Sequence, residues 1–271
     1  MPRPVLFFTA LFFIAMANTT AMAHEYYLMP ETFAPKSNTE LPVRHRLGQL
    51  FKGNELPWIT KWNIRSEVWE DGKMRKEKRI DGDKPALNIK LTSPRLATIV
   101  HQSNVDFITF KTWEKFQKYV TKEGMTHSLA PSIAGTKPKT GLKEAYSRFA
   151  KTIVNVDGDT KGKDIATGLK IELIAQANPL ALGNNDPMPV QVLYNGKPLA
   201  GVSVKVFIGV GTEFAYHTPT DKEGIAMIKP AGPGPYLINA IHMTEPQSEI
   251  AKSKGAHWES FWASLTFKRK E

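Results

Sequence analysis

From residue 24 onward, short runs of Val, Ile, Leu and aromatic residues alternate with clusters of Gly, Pro, Asn and Asp, the pattern of antiparallel strands joined by turns. The segments "IRSEVWE" and "KMRKEKRI" flank Asp71-Gly72, a dipeptide that tolerates the positive φ of a tight hairpin. Together with "LPVRHRL", "ALNIKLT", "LATIVHQ" and "DFITF", they predict a first β unit over residues 24–110.

Two segments break this pattern. In "TWEKFQKYVTKEG" the apolar residues Trp113, Phe116, Tyr119 and Val120 recur at helical spacing, with Thr112 placed to cap the start and Gly124 to end the helix. "GLKEAYSRFAKTIV" repeats the spacing with Leu142, Tyr146, Phe149 and Ile153, and so predicts a second helix. The stretch between them, "APSIAGTKPKTG", reads as an irregular loop. A small helical insertion with loops is therefore expected over 111–165, its aromatic stripes covering an edge of the sheet.

Strand patterning returns at "GLKIELIAQ" and becomes regular in "PMPVQVLY", "AGVSVKVFI", "TEFAYHT", "IAMIK" and "YLINAIHM", with Asn195-Gly196 as one of the turns. Turn signals at this spacing predict an Ig-like or transthyretin-like β-sandwich over 166–271. The last strand alternates with period two: Phe261, Ala263, Leu265 and Phe267 fall on one face, and Trp258, Ser260, Trp262, Ser264 and Thr266 on the other. The expected fold class is thus mainly β, a β-sandwich unit with a small helical insertion followed by a second sandwich.

The beginning of the chain obeys different rules. Arg3, the apolar run Val5 to Ala17 and Ala21-Met22-Ala23 form the three parts of a secretory signal peptide over residues 1–23. The run is about 13 residues, short of the roughly 18 that a bilayer-spanning helix needs, so no stable membrane insertion is expected after cleavage. Cys is absent, which removes disulfides and thiolate ligands and suits a Gram-negative periplasm. The net charge of +10 is spread along the chain, with local clusters at "KMRKEKR" and the terminal "KRK". No nucleic-acid motif accompanies them, so they read as solvated surface and no nucleic-acid partner is expected.

Several stretches in order, "AHEYYLMP", "EAYSRFAK", "LKIELIAQANPL", "YNGKPLAGVSVKV", "TDKEGIAMI", "GPYLINAIHM" and "HWESFWASLTF", resemble the exported DUF4198 family. That family is related to the periplasmic domains of nickel-uptake transporter components of the NikM type. The resemblance implies an exported β-rich protein that handles nickel or cobalt. It also implies a metal set built from an N-terminal amine, a histidine at the second position, the backbone nitrogen between them and a later histidine. A cut after Ala23 puts His24 first and breaks that match, whereas a cut after Met22 gives Ala23-His24 and restores it.

A first-residue histidine offers its α-amine and Nδ1 to one ion. The amine's reference pKa, about 7.7 to 8.0, lets a metal displace its proton near neutrality. A second imidazole would complete a three-nitrogen histidine brace, suited to Cu(II) or Ni(II). His242 in "NAIHM", His101 in "IVHQ" and His257 beside Trp258 are the candidate partners. His45 stands between Arg44 and Arg46, which disfavours a cation, and His127 and His217 carry the least specific signal. Met29, Met227 and Met243 are spaced for packing rather than for a thioether site.

No G-x-S-x-G, P-loop or complete G-x-G-x-x-G is present. The expectation is a periplasmic metal-binding protein that handles nickel, cobalt or copper through His24, without catalysis. It would serve an inner- or outer-membrane metal transporter. An envelope module whose Ig-like domain contacts a protein or glycan is the alternative, and a histidine-brace copper oxidase comes third.

Overall fold

The computed structural model describes residues 24–77, 79–126, 135–209 and 215–270; the signal-peptide reading and His127 lie outside them. The first strands are β1 (Tyr26–Pro30), β2 (Glu40–Leu47), β3 (Asn54–Leu56), β4 (Asn63–Glu70), β5 (Lys73–Lys76), β6 (Leu87–Lys90), β7 (Leu96–Ser103) and β8 (Asp106–Thr112). Helix α1 (Trp113–Lys122) follows, then β9 (Thr140–Asn155), β10 (Ile171–Ala175), β11 (Met188–Tyr194), β12 (Lys197–Pro198) and β13 (Ser203–Ile208). The chain continues through β14 (Ala215–Pro219), β15 (Ile225–Ile228), β16 (Gly234–Thr244), the short α2 (Glu249–Ser253) and β17 (Trp258–Arg269).

These strands form three sheets. A central one of nine strands runs β14-β13-β16-β17-β9-β7-β4-β5, with β8 also on β9. A first four-stranded sheet runs β1-β2-β3 with β6 on β2, and a second runs β10-β11-β12 with β15 on β11. The first covers one face of the central sheet and buries Leu28, Val43 and Ile89 against Val68, Ile99 and Val154. The second covers the opposite face, burying Leu173, Val190 and Val192 against Val206, Ile238 and Leu265. The fold is mainly β and sandwich-like, as the alternation predicts.

The hairpins form where the turn dipeptides stand: Asp71 and Gly72 have φ of 49° and 72°, Asn195 and Gly196 of 50° and 73°. Helix α1 starts at Thr112, whose side chain accepts from the Lys115 amide, and its Phe116 and Val120 pack with Phe110, Met243 and Trp258. Phe261, Ala263, Leu265 and Phe267 enter one core, while Trp258 and Trp262 meet the α1 cluster on the other face.

The second predicted helix is a correction: residues 140–155 form the 16-residue strand β9. It pairs in parallel with β17 on one edge and antiparallel with β8 and then β7 on the other. Both faces are covered, so apolar residues occupy both parities, with Phe149 and Ile153 in one core and Ala150 and Val154 in the other. Two overlaid strand faces then imitate a helical stripe, because a fully buried strand lacks a clean alternation. Of the region 111–165, only Trp113–Lys122 is α-helical among the described residues.

Candidate functional site

At one end of the first sandwich layer the apolar rows turn polar. Along β2 the inward row Leu41, Val43 continues to His45, and along β7 the row Ala97, Ile99 continues to His101. On β1, Leu28 is followed inward by Tyr26, and on β9 the row Val154, Ala150 leads to Arg148 and Tyr146. Period two in each strand thus carries all these side chains to one place. There they line a cavity of about 810 Å³ between the two sheets. Its mouth is flanked by the exposed apolar residues Trp62, Ile64 and Ile250.

The two histidines are 2% and 1% exposed, with ring centroids 4.5 Å apart and planes at 65°. Tyr26 hydroxyl lies 2.7 Å from His45 Nδ1, and its ring sits 4.9 Å from that of His101. His45 Nε2 and His101 Nδ1 are buried and make no hydrogen bond among the described residues.

Burial drives the His45 imidazole down to about 3, with the Arg79 guanidinium adding to the effect. His101 is held well below its ordinary range by burial, then by His45 and Arg148. Both rings are neutral at physiological pH, the state in which imidazole binds metals. Tyr26 is raised well above its ordinary value, chiefly by burial, and stays a phenol.

Two imidazoles meeting one ion at a right angle, with metal–nitrogen bonds of about 2.0 Å, bring their centroids to about 4.5 Å. The observed separation matches that value, and it is also that of an edge-on contact between two rings. Binding at His45 Nε2 would put the proton on Nδ1, donated to Tyr26 Oη. Among the described residues no group of three or more His, Cys, Asp or Glu converges on a point, so an ion held here would have two nitrogens from these residues.

The sequence candidates fall in different places. His101 belongs to this pair. His24 is exposed and borders a separate pocket of about 400 Å³ with Gln49, Lys52 and Asn54, where no second histidine contributes. His242 lies on β16 with its ring 4.5 Å from Tyr194, and His257 Nδ1 accepts from the Lys143 amide at 2.9 Å. His217 is at 2.9 Å from Ser203 Oγ. Buried Met243 and exposed Met227 take no part in the pair.

His45 is the residue that sequence reasoning set aside, because of Arg44 and Arg46. In a strand those neighbours point to the other face: Arg44 pairs with Glu31 and Glu55, and Arg46 donates to Gly53 carbonyl. The signal that could have found it is the alternation in "LPVRHRL" itself, Leu41, Val43, His45.

The Tyr26 contact is open to test. A partner on the far ring nitrogen typically contributes 10–100-fold to metal affinity. Tyr26→Phe is expected to weaken Ni(II) or Cu(II) binding by about that factor while the circular dichroism spectrum stays unchanged; affinity equal to wild type would show that the hydroxyl orients nothing.

A family model described as "Domain of unknown function (DUF4198)" matches residues 21–244. Among solved structures, the chain is similar to the D0-D1 domain of Intimin at 12% identity, with 90% of this chain and 97% of that chain covered and a TM-score of 0.20. Comparison with curated proteins finds no match.

Proposed function

The chain belongs to the DUF4198 family, and from that premise we propose that it is an exported, periplasmic metal-binding protein that holds nickel, cobalt or copper on His45 and His101. The observation that carries this reading is the close pair of buried histidines lining an open cavity, each with one ring nitrogen that makes no hydrogen bond among the described residues. Neutral imidazole nitrogens suit these three ions, and by the usual order of stabilities Cu(II) binds tightest where all are offered. The signal-peptide pattern supports export, as does the resemblance to nickel-uptake components. No helix among the described residues is long and apolar enough to cross a membrane.

This reading moves the metal from the N-terminal residue into the cavity. Two protein ligands beside an accessible mouth suit a carrier that takes up and releases its ion, for instance to a membrane transporter, better than a closed structural site. The test is calorimetric titration of Ni(II), Co(II) and Cu(II) into processed protein, beside His45→Leu, His101→Leu and His24→Ala. One ion per chain is expected, with affinity reduced at least about 100-fold in either cavity variant and retained in His24→Ala. Binding lost in His24→Ala and kept in both cavity variants would return the site to the N-terminus.

A further inference from the structure

We propose that the cavity takes its ion as an anionic complex with a small polycarboxylate, in which the protein's two imidazoles complete the metal's coordination and Arg148 and Lys61 hold the carboxylates. This rests on the metal reading above and adds the chemical class of the cargo. Four observations point the same way.

The first is coordination. Two imidazoles leave at least two positions on a four-coordinate ion, and among the described residues no carboxylate or third histidine joins them. Those positions are open to water or to a chelating ligand that comes in with the ion. The second is volume. A cavity of about 810 Å³ is within the range of small-molecule sites, roughly 300–1,000 Å³, and far exceeds what a bare ion occupies.

The third is charge. Arg148 and Lys61 line the cavity, and among the described residues neither forms an ion pair with a carboxylate. Arg148 is steered inward by the aromatic faces beneath it, its guanidinium carbon 4.7 Å from the Tyr146 ring centre and 5.9 Å from that of Tyr26. Asp106, the one acid in the lining, is engaged by the Tyr146 hydroxyl at 2.9 Å. A positively lined cavity repels a free divalent cation and attracts a complex whose net charge is negative, and a planar guanidinium is well matched to a carboxylate. The fourth is the mouth: Trp62, Ile64 and Ile250 are 49%, 54% and 44% exposed, an apolar rim placed to flank the carbon skeleton of a chelator and of no use to an aquated ion.

The test is calorimetry with three probes, Ni(II) alone, citrate alone and the preformed one-to-one Ni(II)–citrate complex, on wild type, Arg148→Gln, Lys61→Gln and His101→Leu. Wild type is expected to bind the complex at least tenfold more tightly than Ni(II) and to bind citrate alone weakly. Arg148→Gln is expected to lower affinity for the complex at least tenfold and to raise that for Ni(II). Lys61 is exposed, so Lys61→Gln gives a second reading of the same preference if Arg148→Gln fails to fold. Equal or tighter binding of bare Ni(II) by wild type overturns the chelate inference and leaves the metal reading standing. Absence of binding by both Ni(II) and the complex overturns the metal reading itself. Citrate alone binding as tightly as the complex, undiminished in His101→Leu, overturns both and makes the cavity an organic-anion site.

Discussion

Taking the metal-free protein from pH 6.5 towards pH 3 will remove about 4–5 kcal/mol of stability through His45 alone, and His45→Leu/His101→Leu will abolish most of that acid limb. The ordinary His45 value of 6.5 falls to about 3 in the fold, because burial and then Arg79 oppose its charge. A depressed value in the folded state means that the unfolded chain binds the proton more readily. The contribution is therefore complete above pH 6.5, shrinks as the pH falls, and is exhausted near pH 3. His101 is shifted in the same direction for the same first cause and deepens the loss.

Against a typical net stability of about 5–15 kcal/mol, that is a large fraction of the total by pH 3. Glu144 works in the opposite sense. Buried against Tyr119 and Ser260, it rises from 4.5 to about 7, burial being the main cause, so it costs stability as the pH climbs through that interval, by about 3 kcal/mol. The two windows overlap between pH 4.5 and 6.5, where the Glu144 loss offsets part of what the histidines gain. Urea unfolding at pH 7, 5 and 4 on wild type and the double variant separates them. A difference between the two proteins that stays constant across the three pH values would show that the histidines are not held neutral by the fold.

The same two residues show what the chain discloses and what it withholds. Hairpins at Asp71-Gly72 and Asn195-Gly196 were readable because a positive φ is a local requirement, and α1 because Thr112 caps it and one stripe alone is buried. The nature of β9 was hidden, since Leu142, Tyr146, Phe149 and Ile153 satisfy a helical spacing when a strand is covered on both faces. The union of strands from both ends of the chain through the parallel β9–β17 pair has no sequence signature, because register over such a distance is set by tertiary packing. His101 was visible as a polar residue at the end of an apolar strand. His45 carried the same mark on alternate positions, but its basic neighbours masked it; reading face by face rather than residue by residue would have placed it with Leu41 and Val43. What no spacing rule supplies is that β2 and β7, more than fifty positions apart, bring these rings to 4.5 Å.

Lys151→Met is the substitution expected to cost the fold most, about 3–5 kcal/mol. Lys151 is 1% exposed and lies on the face of β9 opposite to Arg148 and Tyr146. Its ammonium sits 3.0 Å from Asp164 and 3.1 Å from Glu172 and donates to the Ile165 carbonyl at 2.9 Å. Both carboxylates are committed elsewhere as well, Asp164 to Thr98 Oγ1 and the Ala175 amide, Glu172 to the Thr167 amide and hydroxyl. The trio therefore ties β9 and β7 to β10 and to the loop before it. Methionine matches the length of the lysine stem but removes the one cation shared by two buried acids, and a stranded buried charge is penalised far more than an intact pair is rewarded. Because the network lies across the strand from the cavity, the loss should appear in the urea midpoint while nickel affinity, measured well below the transition, stays within about threefold of wild type. A destabilisation under about 1 kcal/mol would mean that Asp164 and Glu172 keep their charges at little cost, solvated or held by their backbone amides, and that the lysine is not what closes this side of the sheet.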